Sequence, residues 1–250
     1  MGQAVVDAVT QADDMEVVCG IDVATDGDGG EPFKAFVSVA DALDAVDADV
    51  MVDFTQPDSA EANIRAALTH GVDCVVGTTG LSIERLRELA DDAPEGVSLF
   101  FAPNFTTGAV LMMMFARMAA PFFPQVEIIE SHHCNKKDAP SGTALTTARM
   151  ISEARGGKPS EAPGSETEVA GAEGARGALI EGVPVHSVRS MGNVADQEVI
   201  FGSFGQTLSI KHVSWDRASY MPGVLMGIRE SKHLEGLVTG LESIMDFDNL

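Results

Sequence analysis

Residues 49–80 read "DVMVDFTQPDSAEANIRAALTHGVDCVVGTTG", and their pattern decides the fold. An apolar run from Val50 to Phe54 meets a helical pattern that is capped by Asp58 or Ser59 and stops at Gly71. A second apolar run follows and exits through Gly77, Thr78, Thr79 and Gly80. Strand, helix and strand in so short a span make a βαβ unit, which builds a parallel sheet. The alternation continues on both sides. "MEVVCGID" (15–22) predicts a strand ending in Asp22, and "SVADAL" (38–43) a short helix before Val50. Downstream, "LSIERLRELADDA" (81–93) predicts a helix capped by Ser82, and "VSLFFAPNF" (97–105) a further strand. The expected architecture is a Rossmann-like, doubly wound α/β sheet, whose ligands sit at the carboxyl ends of its strands.

After Asn104 the rhythm changes. "TGAVLMMMFARMAAPFF" (107–123) is a mostly apolar helix whose methionines are core at helical spacing. "QVEIIESHH" (125–133) is a strand, and a helix runs from Gly142 to about Arg155, ended by Gly156 and Gly157. Lys158 to Gly182 reads as loop. "VPVHSVRSM", "QEVIFGSF" and "QTLSIKHVSW" predict three strands, the last two joined as a hairpin at Phe204-Gly205. "SYMPGVLMGIRES" and "LEGLVTGLESIM" predict closing helical segments. A second, α+β domain with a mixed open sheet therefore follows the first.

The opening "MGQAVVDAVTQADD" already reads as the first helix of a dinucleotide-binding unit. Asp22 lies about twenty residues beyond Gly2, the offset expected between a phosphate-turn glycine and a ribose-binding acid. The first strand and most of the glycine-rich turn are thus expected to be absent from this sequence. Without Arg or Lys in "IDVATDGDGG", local chemistry at Asp22 favours NAD over NADP.

The chain of 250 residues carries 38 Asp and Glu against 16 Lys and Arg, a net charge of -22. That balance argues against a nucleic-acid partner, which needs basic surface. The acidity is spread along the chain and suits solubility in concentrated salt, so a halophilic source is expected. No apolar run is long enough for a membrane span, and no signal-peptide pattern is visible at the start. Cys19 and Cys74 lie in apolar runs and read as reduced core thiols of a cytoplasmic protein.

Against this acidity stands "SHHCNKKDAPSGTA", residues 131–144. Neighbouring His132 and His133 at a strand end point to opposite faces. With Cys134 they lack the spacing of a metal site, so no metal is expected. Asp138 or Ser141 caps the helix that follows, and the free N–H groups of Gly142 and Thr143 there form an anion site. Histidines and a lysine beside it describe a pocket for a small polyanionic substrate with proton donors at hand. The strand exits at Phe54-Thr55, Gly77–Thr79 and Ala102–Phe105 offer backbone and hydroxyls to line a dinucleotide crevice.

"IIESHHCNKKDAPSGTA" resembles the signature of the dihydrodipicolinate reductase family, also named 4-hydroxy-tetrahydrodipicolinate reductase. "DFTQP", "GTTG", "APNF" and "HSVR" occur in the family's order over nearly the whole chain. The resemblance implies a dinucleotide-binding domain of residues 1–105 and 218–250, and a substrate-binding and oligomerisation domain of residues 106–217 that builds a homotetramer. It implies NAD(P)H-dependent reduction of a cyclic imine dicarboxylate in lysine and diaminopimelate biosynthesis. Carried over by position, His132 is the catalytic proton donor and Lys136 the second. His133, Ser141, Gly142 and Thr143 are substrate contacts. The cofactor contacts are Gly2, Asp22, Phe54, Thr55, Gly77, Thr78, Thr79, Ala102, Pro103, Asn104 and Phe105. Lys137 has no such role. Two departures leave other readings open. The shortened phosphate turn admits an inactive nucleotide-binding remnant or a different two-domain dehydrogenase, and "GNVADQEV" is a loose version of the family's stretch, so the role of Arg189 stays open.

Overall fold

The computed structural model describes residues 1–22, 33–161 and 174–247. The chain divides into two compact units, Met1–Thr107 with Arg217–Leu250, and Gly108–Asp216.

In the first unit the order is α1 (Gly2–Thr10), β1 (Cys19–Ile21), β2 (Lys34–Phe36), α2 (Val39–Leu43), β3 (Val50–Asp53), α3 (Pro57–Thr69), β4 (Asp73–Val76), α4 (Ile83–Asp91) and β5 (Ser98–Phe101). The helix α3 buries Ala60, Ile64, Ala67 and Leu68, which recur at helical spacing on one face. Its N-cap is Gln56 with Pro57 in the first turn, not Asp58 or Ser59. Proline presets the helical φ and lacks the N–H that a first turn leaves unpaired, so the helix starts there. Ser82 caps α4 as expected, its hydroxyl accepting from the Arg85 amide at 3.1 Å. Cys74, Val75, Val76, Leu99 and Phe100 are fully buried, as strands covered on both faces must be.

One of the two closing helical segments differs from expectation. "SYMPGVLMGIRES" forms a helix, numbered below as α7, but Gly236–Thr239 is a strand, numbered β11, pairing parallel with β5. Gly236 and Gly240, both at positive φ, bracket it and prevent the helix the composition suggested. The parallel strands form a four-stranded sheet, β11-β5-β4-β3, and a separate pair, β1-β2.

The second unit begins within α5 (Thr107–Ala119) and contains β6 (Gln125–His132), α6 (Gly142–Ala154), β7 (Ala178–Ile180), β8 (Val183–Arg189), β9 (Ala195–Ser203) and β10 (Gln206–Ser214). The strand order is β10-β9-β6-β8-β7, with β6 parallel to β8 and antiparallel to β9. The strand β7 lies in the stretch read as loop; three residues just after Gly177 are too few to show a period. The β9-β10 hairpin turns at Phe204-Gly205 as expected, with Ser203 opposite Gln206. On one face Val126, Ile128, Val185, Val199 and Phe201 pack with Ala144, Ala148 and Ile151 of α6. Period two carries that face on to Glu130 and His132. α7 (Met221–Ser231) and β11 (Gly236–Thr239) return the chain to the first unit.

Candidate functional site

The first group of candidate residues gathers at the carboxyl end of the four-stranded sheet. Phe54, Thr55, Gln56, Pro57, Gly77, Thr78 and Thr79 line a cavity of ≈ 320 Å³. Asp53, 2% exposed at the end of β3, holds its wall together. Its carboxylate accepts from the Thr55 amide at 3.1 Å, the Thr78 hydroxyl at 2.5 Å and the Asn63 side-chain amide at 2.9 Å. A buried carboxylate is stable only when its lone pairs are taken up this way. Reading the sequence for function missed Asp53, because one Asp in so acidic a chain carries no signal until its burial is seen.

Glycine at 77 is required by space: a Cβ there would meet Phe54 at 2.0 Å. Phe54 in turn packs edge-on against Phe105, with ring centroids 5.4 Å apart, and so joins the first strand exit to the third. Ala102 donates its amide to Val76 at 3.1 Å, and Asn104 accepts from the Thr106 amide at 2.9 Å. The structure therefore brings together Phe54, Thr55, Gly77, Thr78 and Thr79 in one cavity, with Phe105 behind Phe54. Ala102, Pro103 and Asn104 are not among its lining residues, and neither are Gly2, in the first turn of α1, or Asp22, just past β1. The cavity has the small residues and hydroxyls that a dinucleotide needs for close approach. Gly77→Ala is expected to push Phe54 into it and weaken NAD(P)H binding at least tenfold, read by titrating nicotinamide fluorescence.

The second set of residues is in the other unit. His132 ends β6, and its Nδ1 lies 2.5 Å from Oε2 of Glu130, which is fully buried. Arg189, at the end of β8, donates to both Glu130 oxygens at 2.9 Å. The same guanidinium donates to the Asp138 carbonyl at 2.7 Å. Burial raises the Glu130 pKa, but hydrogen bonds from His132, Arg189 and Ser187 outweigh that and lower it to about 2. Sequence reasoning left Arg189 open and passed over Glu130. The signal was there, since Val126, Ile128 and Glu130 alternate on one face and the first two are core.

The loop after β6 returns to this cluster. The Lys136 amide donates to the His133 carbonyl at 3.1 Å, and its Nζ lies 2.8 Å from Asp138, whose carboxyl is held below its usual range by that contact. His133 and Lys137 are exposed. Of the two candidate caps Ser141 is the one used: its hydroxyl accepts from the Ala144 amide at 3.2 Å, and its amide donates to Glu130 at 3.3 Å. Ser141 is 2% exposed, so its side chain shapes the helix start and does not face solvent. Gly142 is open, with nothing within 4 Å of a would-be Cβ. An anion at this helix start meets backbone donors and the positive end of the dipole.

A cavity lined by small residues and hydroxyls at the end of a parallel sheet, and a histidine held by a buried carboxylate, are features that suit an NAD(P)H-dependent oxidoreductase. Comparison with known proteins carries this further. The family profile "Dihydrodipicolinate reductase, N-terminus" matches residues 1–105, and "Dihydrodipicolinate reductase, C-terminus" matches residues 108–245. A 4-hydroxy-tetrahydrodipicolinate reductase of Mycolicibacterium gilvum is 46% identical over 98% of this chain and 95% of its own. One from Listeria welshimeri is 47% identical over 98% of this chain and 96% of its own. The solved structure of a dipicolinate-bound dihydrodipicolinate reductase from Paenisporosarcina sp. TG-14 has a TM-score of 0.85 at 39% identity, covering 98% of this chain and 95% of that one. The chain belongs to the dihydrodipicolinate reductase family.

Proposed function

We propose that this protein reduces 4-hydroxy-tetrahydrodipicolinate to tetrahydrodipicolinate with NAD(P)H, a step of lysine and diaminopimelate biosynthesis. The observation that carries the reading is His132, its Nδ1 bound to a buried, ionised carboxylate, in the same loop-and-helix segment as the uncrowded start of α6 at Gly142. Bound NAD(P)H supplies a hydride. Thr55, Gly77, Thr78 and Thr79 would hold it, with Asp22 at a ribose and Gly2 near its phosphates. The 4-hydroxyl leaves as water, and hydride addition to the resulting unsaturated ring takes up one proton, for which His132 and Lys136 are the donors at hand. His133, Gly142 and Thr143 would anchor the substrate carboxylates through charge and backbone N–H groups. Lys136 rests on Asp138, which is a carboxylate in the place a substrate carboxylate could take.

A homotetramer built through the mixed sheet is part of the proposal. Its support is the face away from α6, where Ile129, Ile200, Val188 and Val213 alternate with Glu127 and His186 and leave part of their apolar surface in solvent. A cytoplasmic location fits a consumer of NAD(P)H with free thiols at Cys19, Cys74 and Cys134. The net charge of -22 supports a halophilic source. One assay tests the whole reading: oxidation of NADPH or NADH with 4-hydroxy-tetrahydrodipicolinate, followed at low and at several-molar salt. Turnover that rises or holds with salt is expected. No turnover under any salt condition would defeat the enzymatic reading, and loss of fold in high salt would defeat the halophilic one.

A further inference from the structure

We propose that Glu130 is a positioning residue: clamped by Arg189, it fixes the tautomer and ring orientation of His132. The inference rests on the reading of His132 as the proton donor.

A fully buried carboxylate is costly unless every lone pair is used. At Glu130 every neighbour is a donor. Arg189 binds both oxygens, the Ser141 amide reaches Oε1 at 3.3 Å, and Ser187 adds a hydrogen bond. The fourth partner is the His132 ring at 2.5 Å. An ionised carboxylate only accepts, so Nδ1 of His132 must carry a proton. In the neutral ring Nε2 is then the basic nitrogen, and in the cation it is the one that gives a proton away. A purely structural ion pair would need Arg189 alone. Here one carboxylate joins the ring to β8 and to the first turn of α6. Arg189 also holds the Asp138 carbonyl, so the loop carrying Lys136 is tied to the same carboxylate.

The charged and titratable groups around the ring come from a short list of elements. Glu130 shares β6, Arg189 comes from β8, and His133, Lys136 and Asp138 come from the loop. On β9 the residue opposite His132 is Ala195, and Asp196, opposite Ser131, lies on the other face. The first turn of α6 has no acidic residue. Among the described residues Glu130 is therefore the anion in direct contact with the ring.

Two readouts test this. Nitrogen-15 NMR of the histidine rings, with His132 assigned by its loss in His132→Gln, reports which nitrogen holds the proton. The expected neutral ring in the wild-type protein is protonated at Nδ1, and Glu130→Gln erodes that preference. A neutral wild-type ring protonated at Nε2 overturns the proposal. This spectrum needs no turnover and is read on the wild-type protein, so it decides the point even if the substrate reading fails or Glu130→Gln does not fold. Kinetics supply the second readout. Glu130→Gln is expected to lower kcat about 100-fold with KM for NAD(P)H within about threefold, in the range found when an orienting carboxylate is neutralised. Glu130→Asp, which restores an ionised acceptor, should recover part of the lost kcat. A lowered kcat that Glu130→Asp leaves unrecovered, beside an unchanged ring tautomer in Glu130→Gln, marks a structural role only and overturns the proposal.

Discussion

His132→Gln is expected to lower kcat by about 10²–10⁴-fold, the usual contribution of a positioned acid–base group, with NAD(P)H affinity unchanged. The ring sits at the last residue of β6 with 15% of its side chain exposed, enough for a ligand to reach and too little for free rotation. Glutamine keeps a side-chain amide that can donate to Glu130, so the buried carboxylate retains a partner and the fold survives. Residues proposed to hold the nucleotide lie in the other compact unit, Met1–Thr107 with Arg217–Leu250. Cofactor titration should thus be blind to the change while single-turnover reduction is not. Near-full activity in this variant would remove His132 from the chemistry and leave Lys136 as the proton source.

What the sequence made legible follows from where its signals are local. The alternation of apolar runs and helical faces is a local property, and Val50–Asp53, Pro57–Thr69 and Asp73–Val76 form where the pattern places them. Gly77 and the "DAPSGTA" helix start are local too, because a close approach and an N-cap each need particular residue types. The misreading of the α3 start, at Pro57, is local, but the misread strands are matters of tertiary context. Gly236–Thr239 becomes a strand because β5 offers it an edge, and nothing in "LEGLVTGLESIM" announces that edge. Ala178–Ile180 is a strand only by pairing with β8.

The site divides in the same way. Histidine, lysine and glycine in one short stretch stand out in an acidic chain. Asp53 and Glu130 do not, because the same residue types dominate the surface. Their burial makes them different, and burial depends on what packs over them. Glu127 and Glu130 are three residues apart on one strand, yet Glu127 lies on the open face with His186 and Arg176, while Glu130 is fully enclosed. Parity along the strand separates the two, so a stricter use of the period-two rule would have found the second.

Lys136→Ala is expected to lower kcat/KM by about 10³-fold, through two effects that a second substitution separates. The charge of Lys136 now rests on Asp138 at 2.8 Å, and a substrate carboxylate would take up that charge in the same way. Losing one charge-assisted contact costs about 1.5–3 kcal/mol, or roughly a tenfold to hundredfold rise in KM. The remainder is the loss of a proton donor and belongs in kcat. Lys136→Arg keeps the positive charge but replaces an ammonium with a guanidinium that does not give up its proton in proteins. It should bring KM back toward the wild-type value and leave kcat low. Steady-state kinetics on the two variants, with NAD(P)H saturating, read the split directly. Full recovery of kcat in Lys136→Arg would confine this lysine to anchoring, and His132, oriented by Glu130, would carry the proton alone.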